Sequence, residues 1–528
     1  MRGKSKMETG DAIVAARRET ALRNPPEAMN ARRLLALLMS ITIALGIVVV
    51  RYVTISDIDA DEVEHVHVTW ALSQGIVPYR GIHQAHTPFL WILCEPFVKR
   101  LPESIATFVA LRAGCVLAFV GIFVVGLLVL REVYGRLRWV HAMVLLPLML
   151  SCLPDLESYR FRPDPWMAFC TACAVLAAVR LRRAPLRYAF LCGTALGLAA
   201  SFSPKMAPLC LLVPVLCLVE CRYQRSWRPL GLVIPNALGF AAGILPMFCW
   251  LSFHGLLGAF LSSNSHSLGL FVADAGRAME DTQVLLALAV FGGFQAIRMQ
   301  LDTPRAAWAP VHGLLAAAVL AWFIPMIEPN RLTYNLQAFL MPAAVLGTLL
   351  VAHLLELEQW PWRLRLAMVA SVFVFACAKP MLNGIDVTTK GATIPMSDMQ
   401  TLIELRASRD STCVGFAPWH PAFCRDATEL YAGWDLWILM LPGISQERAQ
   451  VCRDMWSEAV SEMERNQPDL IIDTPMWKEA HVKRAISDEE FRRFKQLTRS
   501  RYHPIPVGKM VAFVRNDLVT RNANDASK

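Results

Sequence analysis

The chain has 528 residues, of which 55% are hydrophobic and only 18% charged, and its mean hydropathy is +0.39. A soluble chain of this size carries about a quarter charged residues and splits into domains instead of enlarging one core, while a disordered chain lacks the apolar residues that abound here. A compact soluble enzyme is excluded, and so is a nucleic-acid patch, because the formal net charge of +9 gathers in the N-terminal lead and in alternate short loops.

Residues 1–33 form a basic lead that includes Arg17, Arg18, Arg23, Arg32 and Arg33. It runs into an apolar block long enough to span, so it reads as a cytoplasmic segment and not as a cleaved signal. Apolar blocks of spanning length follow near 34–53, 104–130, 139–153, 166–180, 188–203, 206–221, 229–252, 283–297, 307–327, 335–354 and 364–379. A helix needs about 20 residues to cross a ~30 Å hydrocarbon core. Arginines mark alternate loops, among them Arg131, Arg136 and Arg138, then Arg180, Arg182 and Arg183. Short cytoplasmic loops retain positive charge, which places the N-terminus inside. About eleven spans make residues 34–384 an α-helical membrane domain and put 385–528 outside. This topology is that of an integral membrane protein with its N-terminus in the cytoplasm and its C-terminus outside.

The tail from 385 loses the apolar blocks. Ser397 with Gln400, and Ser487 with Glu490, have capping-box spacing ahead of helical patterns. Residues 445–466 form a third amphipathic stretch, and 412–416, 470–473 and 510–514 read as strands. A small extracytoplasmic α/β domain is expected. Of the 14 cysteines, most lie in apolar blocks as small buried hydrophobes. Cys413, Cys424 and Cys452 lie in the tail, where Cys424 is expected to pair with Cys413 or Cys452. No zinc-type spacing occurs, and Cys170-x-x-Cys173 has no partner pair.

Three features fall on the external side. The first loop, from Asp57, packs Asp57, Asp59, Asp61, Glu62 and Glu64 into eight residues, then adds His65, His67, His83 and His86. Asp61 and His65 share a helical face at four-residue spacing, Asp61 heads the expected helix, and Asp57 and Asp59 read as exposed loop carboxylates. Trp70, Tyr79 and Trp91 suit the membrane interface. The second loop carries Arg160, Arg162 and Asp164. The third feature is cationic: Lys205 at one helix end, and Arg331 with Tyr334 at the start of a late helix. Carboxylates and cations thus converge on one membrane face. That suits a reaction in which a hydroxyl loses its proton to a carboxylate while a phosphate leaves against Arg, Lys or His. No nucleotide-sugar supply exists outside the cytoplasm, so a sugar donor would arrive on a lipid. The alternative is a transporter or flippase for a lipid-linked substrate, which predicts internal repeats and midplane charges. A third reading, a structural assembly protein whose tail binds a partner, leaves the acidic loop unexplained.

The order of these motifs resembles the membrane glycosyltransferases of the C-type fold, in the branch of protein O-mannosyltransferases and lipid A aminoarabinose transferases (glycosyltransferase family 39-like). Asp61-Glu62, Gly75 and Pro78-Tyr79 fit the first-loop pattern, and His86-Thr87-Pro88 stands where many members have Lys-Pro-Pro. Arg162-Pro163-Asp164 meets the second-loop motif and Arg331 to Tyr334 the late Arg-x-x-Tyr. The resemblance covers roughly 34–354. It implies an inverting transfer of a sugar from a polyprenyl-phosphate carrier to a hydroxyl on a lipid, glycan or protein. It implies Asp61 as general base with Glu62 and Asp164 as further acidic site residues. His86, Lys205, Arg331, Tyr334 and Arg162 become the donor-phosphate contacts. Some relatives hold a divalent metal near this loop, for which His65, His83 and His266 are the candidate ligands; no other cofactor is implied. Membrane lipids are expected partners and nucleic acid is not.

Overall fold

The computed structural model describes residues 25–80, 86–135, 137–154, 156–261, 283–301, 308–324, 336–357, 360–383, 393–406, 408, 410–415, 419–427, 446–473, 478 and 486–519. Every apolar block falls on a helix. These are α1 (Pro25–Ile55), α4 (Ile105–Tyr134), α5 (Trp139–Cys152), α6 (Pro163–Val179), α7 (Pro185–Phe202), α8 (Leu212–Gln224), α9 (Val233–Phe253), α10 (Gln283–Leu301), α11 (Trp308–Trp322), α12 (Gln337–Glu356) and α13 (Trp362–Asn383). Short 3-10 turns, Pro204–Leu211 and Arg228–Leu232, lead into α8 and α9. Among the described residues, five helical stretches are long and apolar enough to cross a membrane alone. Ile43, Ile47 and Phe253 show 60%, 61% and 87% of their surface on the outside of the bundle. Apolar side chains so exposed are at home in hydrocarbon, not in water. At the centre, α12 buries nearly every residue from Gln337 to Ala352.

The helices α7 and α9 meet backbone to backbone. A Cβ on Gly193 would lie 1.9 Å from the Asn236 carbonyl oxygen, and one on Gly243 would lie 2.3 Å from that of Thr194. Gly193 and Gly197 face Gly239 and Gly243, two small-xxx-small pairs that let helices approach where no hydrophobic effect draws them together.

Between α1 and α4 lie strand β1 (Ile58–Asp59), helix α2 (Ala60–Ser73) and helix α3 (Phe89–Val98). The N-cap of α2 is Asp59, whose carboxylate accepts the Glu62 N–H at 2.7 Å. Asp61 therefore sits in the first turn and does not head the helix. Gly75, at φ +81°, takes the left-handed conformation that lets the chain turn after α2. Trp70 and Trp91 are enclosed by protein, not spread at an interface: their indoles donate to Glu103 and His65.

The tail contains β2 (Thr393–Ile394), α14 (Met396–Glu404), β3 (Thr412–Val414), β4 (Arg425–Asp426), α15 (Gln446–Asn466), β5 (Leu470–Asp473), α16 (Asp488–Arg501), β6 (Tyr502–Val507) and β7 (Met510–Arg515). Five strands make one sheet in the order β4-β3-β5-β7-β6. β3 runs parallel to β4 and β5, while β7 is antiparallel to β5, with Leu470 opposite Val514, and to β6. The expected box of Ser487 and Glu490 caps α16. The other does not form: Ser397 lies inside α14, whose N-cap is Pro395, and Gln400 instead accepts the Ile105 N–H. Two strands escape a sequence pattern. β4 is two residues long, and β6 carries Pro504 and Pro506, tolerable because it is an edge strand. Cys413 and Cys424 form a disulfide.

Candidate active site

Of the five carboxylates in this segment, Asp59, Asp61 and Glu62 are each met by an arginine. Glu62 is fully enclosed. Arg112, near the N-terminal end of α4, donates Nε to its Oε1 at 2.7 Å and Nη2 to its Oε2 at 2.6 Å. The Phe161 N–H adds a 3.3 Å bond to Oε1. The same guanidinium donates to the carbonyls of Tyr52, Val53, Ser56 and Asp57. Arg112 thus joins the C-terminal end of α1, where unpaired carbonyls collect, to the start of α2. With both oxygens engaged and no exposure, Glu62 has the geometry of a scaffold anion.

Asp59 is 8% exposed, not the exposed loop carboxylate expected. Arg160 Nη1 lies 2.9 Å from its Oδ2, and Arg162 Nη2 contacts the same oxygen. Burial alone would raise its pKa, but the charges of Arg160 and Arg162 outweigh this and hold it below the ordinary carboxylate value. Arg162 Nη2 also lies 2.9 Å from Asp61 Oδ2, and its Nη1 is 3.3 Å from Glu157. Asp61 keeps 15% of its side chain accessible. Asp164, in the first turn of α6, is 3% exposed; its Oδ1 has no hydrogen-bond partner among the described residues and faces Lys205 Nζ at 3.8 Å.

His86 completes the cluster. Its Nε2 lies 3.8 Å from Glu64, and its carbonyl accepts the Tyr79 hydroxyl. Next to it, Thr87 donates to the Phe202 carbonyl at 2.6 Å, tying this loop to the end of α7 beside Lys205. Burial lowers the His86 pKa, against the pull of Asp61 and Asp164 and with the push of Lys205 and Arg162. All four charges bear on the His86 ring, whose side chain keeps 37% of its surface accessible. His65 lies behind, its ring centre 4.9 Å from that of His86, with its pKa pushed well down by burial and then by His86.

The structure thus brings together Asp61, Asp164, Arg162, Lys205 and His86, with Glu62 and His65 in the layer beneath. Arg331, Tyr334, His83 and His266 lie outside the described residues. Sequence reasoning missed Arg112 and gave Asp59 and Arg160 no role. Arg112 did leave a signal, as the lone cation inside an apolar span.

This arrangement sits in a known architecture. ArnT from Cupriavidus metallidurans, solved bound to undecaprenyl phosphate, matches 92% of this chain and 99% of its own, with TM-score 0.56 and 12% identity. The chain has the fold of the C-type membrane glycosyltransferases. The archaeal oligosaccharyltransferase AglB from Archaeoglobus fulgidus, in complex with an inhibitory peptide and a dolichol-phosphate, matches 91% of this chain and 74% of its own, at TM-score 0.48 and 11% identity. No family model matches the sequence, and no curated protein matches it.

Within the C-type fold, the described residues of the acidic loop do not fit a divalent ion. Asp59, Asp61 and Asp164 each face an arginine or lysine. His65 Nδ1 accepts the Trp91 indole N–H at 3.0 Å, so in the neutral ring the hydrogen is on Nε2 and no lone pair remains for a metal. Two groups with metal-ligand types do occur, Cys413/His420/Cys424 and His67/His420/Asp426, both at the contact between α2 and the tail.

Proposed function

We propose that this chain is a glycosyltransferase that moves a sugar from a polyprenyl-phosphate carrier to a hydroxyl on a lipid, glycan or protein, with inversion at the anomeric carbon. The observation that carries this reading is the juxtaposition of a partly accessible carboxylate, Asp61, with Arg162, Lys205 and His86. ArnT, whose fold the chain shares, was solved with undecaprenyl phosphate, a ligand of the class this cation cluster would bind.

The acceptor hydroxyl gives its proton to the Asp61 carboxylate as its oxygen bonds to the anomeric carbon. The bond from that carbon to the phosphate oxygen breaks, and its electron pair leaves with the polyprenyl phosphate. Lys205 and Arg162 offset the charge that develops there, and His86 adds a hydrogen-bond donor. Asp164 orients Lys205. Arg331 and Tyr334 complete the phosphate contacts. Glu62 acts through Arg112 to fix the helix that carries Asp61. The site then opens outside the cytoplasm of a bacterial inner membrane, with the N-terminus inside and the tail outside.

The test is a transfer assay with lipid-linked sugars and the full chain in detergent. Lys205→Ala should weaken undecaprenyl phosphate binding, and Asp61→Asn should abolish transfer while leaving that binding intact. A tail reporter active only in the cytoplasm, or an Asp61→Asn protein with undiminished transfer, would overturn the reading.

A further inference from the structure

The tail holds α2 at three points along its length. At the N-terminal end, Asp59 is strand-paired with Thr393 and Ile58 with Ile394. At the C-terminal end, Trp70 Nε1 donates to Glu103 Oε1 at 3.0 Å, and Arg406 Nη1 donates to Glu103 Oε2 at 3.0 Å. Arg406 also donates to the Phe423 carbonyl. Between these points His67 enters a tail loop that runs from β3 to β4 and is closed by the Cys413–Cys424 disulfide.

Hydrogen-bond polarity defines what His67 does there. Its Nδ1 is 2.8 Å from the Ala422 carbonyl, which can only accept. Its Nε2 is 2.9 Å from Asp426 Oδ2, and the Asp426 carboxyl, although buried, is held down to about 2 by His67 and His420. The ring thus bridges two oxygen acceptors of the tail, a backbone carbonyl and a carboxylate. His420 has the complementary form: its Nδ1 accepts the Ala422 N–H at 3.0 Å, so Nε2 carries the hydrogen and donates to Asp426 Oδ1 at 3.1 Å. His420 Nε2 also lies 3.0 Å from Cys413 Sγ, so the ring sits between the Asp426 carboxylate and the disulfide. One amide unit, Ala422, is read on both sides, its carbonyl by His67 and its N–H by His420.

We propose that His67 is a positioning residue, and that the disulfide-closed loop is a latch that fixes α2, and with it Asp61, against the cation cluster. The latch stands on its own geometry; its effect on donor binding rests on the glycosyltransferase reading. Removing the His67 ring leaves the buried Asp426 carboxylate without this partner, whereas an amide at both positions removes the mismatch.

The experiment uses the full chain in detergent, with hydrogen exchange over residues 60–73 and binding of undecaprenyl phosphate as separate readouts. His67→Gln, and independently Cys413→Ser with Cys424→Ser, should raise exchange over 60–73 while 337–356 stays protected. Both should weaken undecaprenyl phosphate by about tenfold, the effect of misplacing one charge-assisted contact. His67→Gln with Asp426→Asn should restore both readouts, which loss of a merely structural residue would not. Unchanged exchange in both single-site tests, or free thiols at Cys413 and Cys424 in the native protein, would overturn the latch. Raised exchange with unchanged lipid binding would overturn the positioning role. A wild-type protein that binds no undecaprenyl phosphate would count against the enzyme reading, and exchange alone would then decide the latch.

Discussion

Arg162 lies 2.9 Å from Asp61, through the same Nη2 that contacts Asp59. One guanidinium nitrogen thus couples the accessible carboxylate of α2 to the buried one that caps the same helix. Arg162 is consequently both a partner of the proposed base and a cation available to a leaving phosphate. A proton arriving on Asp61 would weaken its hold on Arg162 as charge builds on the phosphate.

That coupling separates the two aspartates by experiment. Asp61→Asn should reduce transfer by about 10²–10⁴-fold, the range of a general base, with an unchanged melting temperature. Asp59→Asn should lower the melting temperature as well, because Arg160 and Arg162 lose a shared buried anion. Asp57→Asn, whose carboxylate accepts a long 3.4 Å bond from Thr393, should be the mild control. Transfer rates set beside thermal melts in detergent check the ranking.

Glu62→Ala should destabilise the bundle by about 3–5 kcal/mol, the cost of leaving one member of a buried ion pair alone. Arg112 would keep its carbonyl contacts from Tyr52 to Asp57 but lose both carboxylate bonds. A melting temperature equal to that of the unaltered protein would contradict the scaffold role of Glu62.

Gly193→Leu should disrupt assembly of the α7–α9 pair. Its Cβ alone would lie 1.9 Å from the Asn236 carbonyl oxygen, and backbone cannot swing aside as a side chain can. Gly114→Leu, on α4 with nothing within 4 Å of a new Cβ, should be tolerated. The yield of monodisperse protein after extraction distinguishes the two.

Acid should loosen the tail contact in two steps. Burial, followed by the charge on His67, lowers His420 from 6.5 to about 4. The unfolded chain then binds more protons than the folded one between those values. The contribution of His420 is complete above pH 6.5 and falls as pH drops toward 4, by at most about 3 kcal/mol. Asp426, lowered from 3.8 to about 2, contributes stability that is present above 3.8 and lost as pH falls to 2. Melts across pH 4–7 should slope in the wild type and flatten in His420→Gln.

The membrane half was legible in the sequence because hydropathy is local. A stretch that must fill its backbone hydrogen bonds within hydrocarbon forms a helix wherever about 20 apolar residues run together, and each such block is a helix here. The strands β3, β5 and β7 were legible for a similar reason, as β-branched and apolar runs between polar breaks. Asp61, Asp164, Arg162, Lys205 and His86 could be nominated because their order along the chain matched a pattern.

What each carboxylate does was decided by the tertiary structure alone. Asp59, Asp61 and Glu62 are near neighbours with the same charge, and nothing in their spacing separates a cap, an accessible carboxylate and a buried anion. Arg112, Arg160 and Arg162 separate them, and they arrive from 50 to 103 residues away. The glycines of α7 and α9, and the seat of His67 in a loop more than 350 residues downstream, were equally beyond local reading. Burial and charge pairing depend on what the folded chain brings alongside, and sequence distance carries no record of that.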